Sequence, residues 1–256
     1  MNKMQKEKTP YIIGIIPARY NSSRFPGKPL ALIGKKTLIQ RTYENAFLSP
    51  ILDNLYVASD DKRILSHVIS FSSKEQVLVT SSNCSTGTER VRDALIKYPI
   101  LQKSKIVINI QGDHPNISKN TITSVINALH SDDDCMLATA VIASTSIEDA
   151  FSPHVVKCIF NNEYKALYFS RQLIPYHYPK TPISFYQHLG IYAYRTDFLI
   201  NNFDKMKKSY LQENENLEQL LFLQNGYNIK VSIVKEKSMG IDIPEDIKKM
   251  EKVICQ

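Results

Sequence analysis

The chain has few of the residues that mark several common classes of protein. Its 256 residues include eight glycines, four cysteines and no tryptophan. The cysteines, Cys84, Cys135, Cys158 and Cys255, are too far apart for a CxxC pair and too few for a disulfide framework, which predicts free thiols in a reducing compartment. No apolar run approaches the roughly 18 residues of a membrane span, and the run at 11–16 is too short for a signal-peptide core. These absences predict a cytoplasmic protein without membrane insertion.

Two glycine-rich phosphate-binding motifs are also missing. A Walker A loop needs G-x-x-x-x-G-K-[ST], but Gly27 is followed by Lys28 and Pro29. The chain has no G-x-G-x-x-G either. A backbone cradle alone therefore does not account for phosphate binding, and side-chain cations would have to share that role.

The net charge of +7 leaves several partners open. A nucleotide, an acidic metabolite, nucleic acid or a membrane surface would each suit a basic protein. Many lysines, however, lie in short helix-like stretches such as 205–208 and 247–252. The simplest interpretation of the excess charge is therefore a solvated, lysine-rich surface.

Alternating patterns predict an α/β fold. Short β-branched runs alternate with amphipathic stretches through the first 143 residues, which is typical of a mostly parallel sheet covered by helices on both faces. Ligands of such sheets bind at the carboxyl ends of the strands. Strands are predicted at 11–16, 54–59, 76–80, 105–110 and 136–143, and helices at 37–48, 62–71, 89–98 and 121–130.

From about residue 150 the pattern changes. Short strand-like runs follow one another directly, so we expect a smaller, partly antiparallel lobe over about 150–212 within a single domain of residues 1–256. Beyond it the sequence predicts a helix at 214–226 that Gly226 ends, a strand at 228–234 and a final helix from Pro244.

The stretch "GIIPARYNSSRFPGKPL" (14–30) suggests an anion site. Arg19, Arg24 and Lys28 follow a predicted buried strand, at the edge of the sheet where ligands bind. An ordinary basic loop between a strand and a helix explains this charge pattern about equally well.

Two carboxylates favour the anion site. Asp113 follows the strand in "VINIQGDHP" (107–115), and Asp242 lies in "GIDIPEDI" (240–247) before a proline-started helix. Carboxylates at such positions can hold Mg²⁺ against nucleotide phosphates. Either aspartate alone could instead be a capping or turn residue, which is the interpretation we prefer for Asp246.

The segment "STGTERV" (85–91) adds a weaker indication. Small residues around Gly87 would let backbone amides approach a ligand at the start of the helix that carries Arg90. The same letters also contain a helix-capping pattern.

Seven segments in order resemble one family. They are "IIPARYNSSRFPGKPL", "SSNCSTGTERV", "VINIQGDHP", "KALYFSRQLIPY", "QHLGIYAYR", "LEQLLFLQNG" and "GIDIPEDI", and they extend from about residue 12 to 247. Together they are similar to the CMP-Kdo synthetases, which are 3-deoxy-manno-octulosonate cytidylyltransferases. The resemblance implies a Rossmann-like, glycosyltransferase-A-like nucleotidyltransferase fold. It also implies a homodimer that uses CTP and Mg²⁺ to make CMP-Kdo for lipopolysaccharide synthesis, and it makes the 150–212 lobe the sugar-binding and dimerisation lobe.

The resemblance also assigns roles to individual residues. For CTP it implies Arg19, Arg24, Lys28, Gly87, Thr88 and Arg90. Lys28, Arg24, Asp113 and Asp242 become catalytic, with the two aspartates as magnesium ligands. For the sugar acid it implies Arg171, His188, Tyr192, Glu218 and Gln219. Taken alone, His188 in an apolar strand would more often be a hydrogen-bonded core histidine.

Two positions depart from the family pattern, which commonly has Glu at His114 and His at Cys84. An imidazole beside Asp113 changes the local charge. The change could be indirect, which we favour, or could mark another acceptor such as an amino-substituted Kdo. A different class of function, a nucleic-acid-binding protein, stays as a remote alternative. It should show a concentrated basic face rather than cations beside aspartates.

Overall fold

The computed structural model describes residues 12–22, 24–178 and 181–254. The first ten residues, Tyr11 and Cys255 lie outside these ranges. Nine strands of the described chain form one sheet: β1 (Ile12–Pro17), β4 (Asn54–Ser59), β5 (Val77–Val79), β6 (Ile106–Asn109), β7 (Cys135–Ser144), β8 (Lys157–Phe160), β9 (Ala166–Ser170), β10 (Phe185–Arg195) and β11 (Asn228–Val234). A separate hairpin pairs β2 (Leu32–Ile33) with β3 (Lys36–Thr37).

Helices connect most of these strands. They are α1 (Leu38–Phe47), α2 (Lys62–Ile69), α3 (Gly87–Lys97), α4 (Lys119–His130), α5 (Ile147–Phe151), α6 (Thr196–Asn202), α7 (Tyr210–Glu215), α8 (Gln219–Gln224) and α9 (Glu245–Ile254). Within the described residues, no helix combines the length and the apolar character needed to cross a bilayer.

The sheet has the order β11-β7-β10-β6-β1-β4-β5. The β6-β1-β4-β5 half is parallel, as is the β11-β7 pair, whereas β10 runs antiparallel to β6 and β7. The strand β8 pairs antiparallel with β10 and β9. The predicted α/β fold with a mostly parallel sheet and a smaller antiparallel part is therefore confirmed, whereas the boundaries of the lobe stay a prediction.

Side chains of β1 alternate between two layers of core. Ile12 and Ile16 belong to the cluster that includes α1, α2 and α4, whereas Ile13 and Ile15 belong to the cluster that includes α3, α6 and α8. Since successive side chains of a strand point to opposite faces, a strand buried on both faces must be apolar throughout. This burial agrees with the place of β1 inside the sheet, between β6 and β4.

The single helix predicted over 214–226 is only partly correct, because a break at residues 216–218 limits it to α8. The structure instead has α7 and α8, which are separated at Asn216, a residue in the left-handed conformation with φ of 50°. Left-handed backbone cannot continue a right-handed helix, and asparagine tolerates it better than most residues. Gly226, with φ of 82°, follows α8 as expected.

Candidate active site

A cavity of about 400 Å³ opens at the carboxyl ends of β1 and β6. A larger recess of about 630 Å³ lies at the other edge of the sheet, beside Lys105 and Asp197. We place the candidate site in the smaller cavity because it brings together most of the residues predicted from the sequence. Those in its lining are Arg19, Arg24, Lys28, Gly87, Arg90, Asp113, Glu218 and Asp242.

The loop after β1 delivers the first cations. Gly27 has φ of 72°, and a Cβ there would lie 3.1 Å from the Tyr20 hydroxyl, so both the backbone and the space favour glycine. Its N–H donates to the carbonyl of Tyr20 (2.9 Å), and the Arg63 guanidinium lies 3.3 Å from the centre of the Tyr20 ring. This packing holds the turn that directs Lys28 into the cavity.

Lys28 lies between the two aspartates. Its Nζ is 2.6 Å from Asp113 Oδ2 and 3.8 Å from Asp242 Oδ1, and it donates to the carbonyl of Ile241 at 2.7 Å. Arg24 approaches the same oxygen of Asp242 at 3.0 Å. Burial alone would raise the pKa of Asp113, but the Lys28 ammonium, together with smaller favourable contacts, outweighs it and the pKa is lowered. Asp113 is therefore ionised, and both aspartates are paired with cations.

Asp246 has the structural role that we preferred from the sequence. Its Oδ2 accepts hydrogen bonds from the N–H groups of Asp242 (3.1 Å) and Ile243 (3.3 Å). Burial opposes ionisation of Asp246, but these bonds help to lower its pKa. Asp246 thus closes the turn before α9.

The amino end of α3 forms another wall. Thr86 caps the helix by accepting from the N–H of Glu89 (3.1 Å), so the capping pattern noted above is confirmed. A Cβ on Gly87 would lie 3.2 Å from Asn109 Nδ2, which leaves the helix start close to the sheet. Arg90 is buried and bonds to Thr80 Oγ1 at 2.6 Å, so its guanidinium is held in place.

Four predicted residues lie behind the cavity rather than in its lining. Thr88 is buried and bonds through its hydroxyl to Glu218 (3.0 Å). Tyr192 donates to Gln219 Oε1 at 2.9 Å, and both side chains are buried. His188 Nε2 lies 2.9 Å from Thr139 Oγ1 in the core. Thr88 thus connects α3 to the start of α8, and Tyr192 connects β10 to the same end of α8.

Arg171 is also outside the cavity lining. Its guanidinium donates to the carbonyls of Glu215 (2.7 Å), Pro153 (2.8 Å) and Asn216 (3.1 Å). These bonds join the β9 end to the segment between α7 and α8. The structure thus gives Arg171 a role in holding the left-handed turn at Asn216, and its contact with a sugar acid stays a prediction.

His114 lies next to the site without lining the cavity. Its Nε2 is 3.9 Å from Asp113 Oδ1, and its Nδ1 is 2.7 Å from Ser238 Oγ. Burial lowers the pKa of His114, and the nearby Asp113 charge only partly offsets this. The imidazole therefore stays neutral near pH 7 and adds no full charge beside Asp113.

Comparison with known proteins identifies the family. The model of the family described as "Cytidylyltransferase" matches residues 13–237. The 3-deoxy-manno-octulosonate cytidylyltransferase of Protochlamydia amoebophila (strain UWE25) is 46% identical over 253 residues, 98% of this chain and 96% of that protein. The chain belongs to the 3-deoxy-manno-octulosonate cytidylyltransferase family. The enzyme of that name from Chlamydia pneumoniae is 44% identical to this cytidylyltransferase over 94% of this chain and 93% of its own length.

A solved structure agrees with this cytidylyltransferase in fold. It is a CMP:2-keto-3-deoxy-manno-octonic acid synthetase complexed with CTP, 34% identical, with a TM-score of 0.88. The match covers 96% of this chain and 99% of that one. The predicted nucleotidyltransferase fold is therefore confirmed.

Several residues in the lining of the cytidylyltransferase cavity were not predicted. Gln111 and Gly112 directly precede Asp113, so the same strand-end argument would have found them. Gln212 and Asn216 carry no sequence signal, because they reach the cavity only through the break between α7 and α8. Cys84 also lines the cavity, and burial raises the pKa of its thiol, which favours the neutral form.

Gly112 lies in a tightly packed part of the cytidylyltransferase site. A Cβ there would lie 2.8 Å from the carbonyl oxygen of Pro17, a contact that requires backbone movement. We expect Gly112→Ala to lower the free energy of unfolding by about 2 kcal/mol. At Gly190 the nearest atom would be 3.6 Å away, and Gly190→Ala should leave that free energy unchanged or raise it by up to about 1 kcal/mol. Urea unfolding measures both, and equal losses would contradict the packing argument.

His188 should make the cytidylyltransferase less stable in acid. Burial lowers the pKa of His188 to about 3. Below an unfolded pKa of about 6.5 the unfolded chain takes up a proton that the folded chain does not, so the free energy of unfolding falls by up to about 1.4 kcal/mol per pH unit. Urea unfolding between pH 7 and 5 should show a shallower fall for His188→Gln. The exposed His154→Gln serves as control, and parallel curves for all three proteins would refute the assignment.

Proposed function

We propose that this enzyme transfers the cytidylyl group of CTP to 3-deoxy-D-manno-octulosonate (Kdo), which gives CMP-Kdo and pyrophosphate for lipopolysaccharide synthesis. One observation carries the proposal: a single cavity holds the predicted cations and both aspartates, in a chain 46% identical to a named 3-deoxy-manno-octulosonate cytidylyltransferase. Arginine and lysine suit the polyanionic triphosphate.

Arg19, Arg24 and Lys28 bind the phosphates of CTP in this proposal. In the structure, Arg24 and Lys28 are paired with Asp242 and Asp113. Asp113 and Asp242 would hold the metal of a magnesium nucleotide in place of these cations, and Arg24 and Lys28 would then bind the phosphates. Gly87, Thr88 and Arg90, at the start of α3, belong to the cytidine side, with Gly87 and Arg90 in the lining.

Asp113 and Asp242 are the proposed magnesium ligands. No group of three histidine, cysteine, aspartate or glutamate side chains within the described ranges is arranged to hold a metal. The two carboxylates nevertheless both approach the Lys28 ammonium, so they already face one cation. Two carboxylates completed by water and substrate phosphates fit the coordination habits of Mg²⁺. When bound, Mg²⁺ would neutralise phosphate charge and lower the pKa of a coordinated hydroxyl.

The transfer needs no covalent enzyme intermediate. The anomeric oxygen of the sugar acid forms a bond to the α-phosphorus of CTP, and the bond from that phosphorus to the bridging oxygen of pyrophosphate breaks. The hydroxyl proton is lost to solvent. Lys28 and Arg24 stabilise the negative charge that develops on the phosphate oxygens.

Glu218 makes the direct contact with the sugar acid in this proposal, because it lines the cavity. Burial raises its pKa, although hydrogen bonds from threonines oppose the shift. A carboxyl group that protonates more readily repels the substrate carboxylate less. Gln219 and Tyr192 bond to each other behind the cavity, and in this proposal they reach the sugar acid, with Arg171 and His188, after a movement that frees the Arg171 guanidinium and exposes His188.

We also propose a cytoplasmic homodimer that binds neither nucleic acid nor membranes. Exposed apolar side chains in the 150–212 lobe support the dimer, among them Phe151, Tyr176 and Tyr178, which are 69%, 84% and 89% exposed. The thiols suit a reducing compartment. Light scattering should give twice the chain mass of 29.3 kDa.

Pyrophosphate release tests the proposed substrates. The purified enzyme with Mg²⁺ is given CTP, UTP, GTP or ATP, and either Kdo, an amino-substituted Kdo or N-acetylneuraminic acid. We expect release only with CTP and Kdo. Release only with another acid would keep the reaction and change the acceptor. No pyrophosphate release with any combination, from folded protein that binds CTP, would contradict the proposed function.

A further inference from the structure

Asp242 lies in a stretch without regular secondary structure. The strand β11 ends at Val234 and α9 begins at Glu245, so residues 235–242 belong to no strand or helix. We call these residues the 235–242 segment. Asp242 reaches the cavity only if the backbone of this segment keeps its conformation. The contacts that hold this conformation come largely from residues 113–116, which follow β6. We call these residues the 113–116 segment.

Asn116 takes the place of a neighbouring strand. Its Nδ2 donates to the carbonyl of Lys237 at 3.3 Å, and its Oδ1 accepts from the N–H of Met239 at 2.9 Å. One side-chain amide thus satisfies a carbonyl and an N–H two residues apart, as a paired strand would. Without it, these backbone groups would lose their partners in the 113–116 segment.

Ser238 adds a second attachment. Its hydroxyl lies 2.7 Å from His114 Nδ1 and 3.4 Å from Asn116 Oδ1, and Ser238 is only 6% exposed. The His114 ring also packs against the backbone at Gly240, since a Cβ on Gly240 would lie 3.2 Å from His114 Nε2. The two segments are therefore in close contact from residue 237 to 240.

This attachment extends directly to the proposed metal ligands. The N–H of Ile241 donates to the carbonyl of Asp113 at 2.9 Å, and the carbonyl of Ile241 accepts from Lys28. Asn116 and Ser238 themselves do not line the cavity. Their effect on the reaction must therefore pass through the position of Asp242.

We propose that Asn116 and Ser238 are positioning residues for the transfer. They hold the 235–242 segment against the 113–116 segment and so set the separation of Asp113 and Asp242. The proposal rests on the proposed function for the metal that these carboxylates bind, but it does not depend on which acid is the acceptor. Groups that orient metal ligands typically contribute about 10- to 100-fold to metal affinity or activity.

The test uses Asn116→Ala and Ser238→Ala in the full chain. Asn120→Ala is the matched control, because Asn120 Nδ2 bonds to Glu236 Oε1 (2.9 Å) in the same segment but farther from Asp242. Electron paramagnetic resonance measures Mn²⁺ binding in the presence of CTP and without acceptor. We expect binding about 10- to 100-fold weaker in the two variants and unchanged in Asn120→Ala. Turnover should fall at low Mg²⁺ and recover at high Mg²⁺.

Thermal melting establishes that each variant is folded, and if Asn116→Ala is not, Ser238→Ala decides alone because it loses a single hydroxyl. Unchanged Mn²⁺ binding in the folded variants would overturn the proposal. An equal loss in Asn120→Ala, or turnover that high Mg²⁺ does not restore, would also overturn it. A wild-type enzyme that uses no acceptor would refute the proposed function alone, since the Mn²⁺ titration needs no acceptor.

Discussion

Replacing Asp242 by asparagine is expected to lower kcat about 10³-fold while the protein stays folded. The amide keeps the size of the side chain but loses the charge that would hold Mg²⁺. The Asp242 carboxylate is 52% exposed and pairs with Arg24, so its contribution to stability is small. Steady-state turnover at saturating CTP and Kdo measures the effect, and thermal melting measures the fold.

Asp204→Asn is the matched control for Asp242→Asn. Asp204 is also an exposed carboxylate paired with an arginine, Arg92, but it does not line the cavity. We expect near-normal turnover in this control. Near-normal turnover in Asp242→Asn itself would remove Asp242 from the metal site and leave Asp113 without its proposed partner.

Lys28→Met is expected to lower kcat/KM for CTP by about 10²- to 10³-fold. Methionine keeps much of the apolar stem but has no ammonium to place beside the phosphates. The same change removes the cation between Asp113 and Asp242. Mn²⁺ should therefore bind the free variant more tightly than it binds the free wild type, because the metal no longer has to displace Lys28. Initial rates and calorimetric titration of the free protein measure these two effects.

Lys36→Met provides the control for the loss of a lysine ion pair. Lys36 Nζ lies 2.6 Å from Glu44 Oε2 on a partly exposed surface, so the variant should keep kcat/KM within about twofold of wild type. A Lys28→Met enzyme with kcat/KM as high as this control would contradict the role of Lys28 at the phosphates. Unaltered Mn²⁺ binding would contradict the proposed exchange of cations.

The sequence predicts the central sheet well because burial on both faces leaves a strong pattern. The strands β4 (54–59) and β11 (228–234) both have the bounds predicted from the sequence. The helix predicted at 214–226 was too long at its start, because its apolar spacing does not reveal the left-handed turn at Asn216. The Asn216 carbonyl accepts from Arg171, 45 residues earlier in the chain. Such a tertiary contact overrides local helix propensity.

The candidate site likewise has features that the sequence predicts and features that only the structure shows. Arg24, Lys28 and Asp113 follow strand ends, so the rule that ligands bind there brings them to one edge of the sheet without a structure. Asp242 was recognisable beside its proline-started helix, but the contacts that carry it to Lys28 were not. The burial of Tyr192 and Gln219 behind the cavity also depends on packing between distant elements, which spacing along the chain does not encode.

The fate of the α-phosphorus of CTP tests the central claim most directly. Phosphorus NMR can follow CTP and Kdo with the wild-type enzyme and Mg²⁺ during turnover. We predict a new phosphodiester signal from CMP-Kdo that grows in step with pyrophosphate and requires both Kdo and an intact Asp242. Appearance of free CMP at the same rate with and without Kdo would mean that water accepts the cytidylyl group, and would contradict the account.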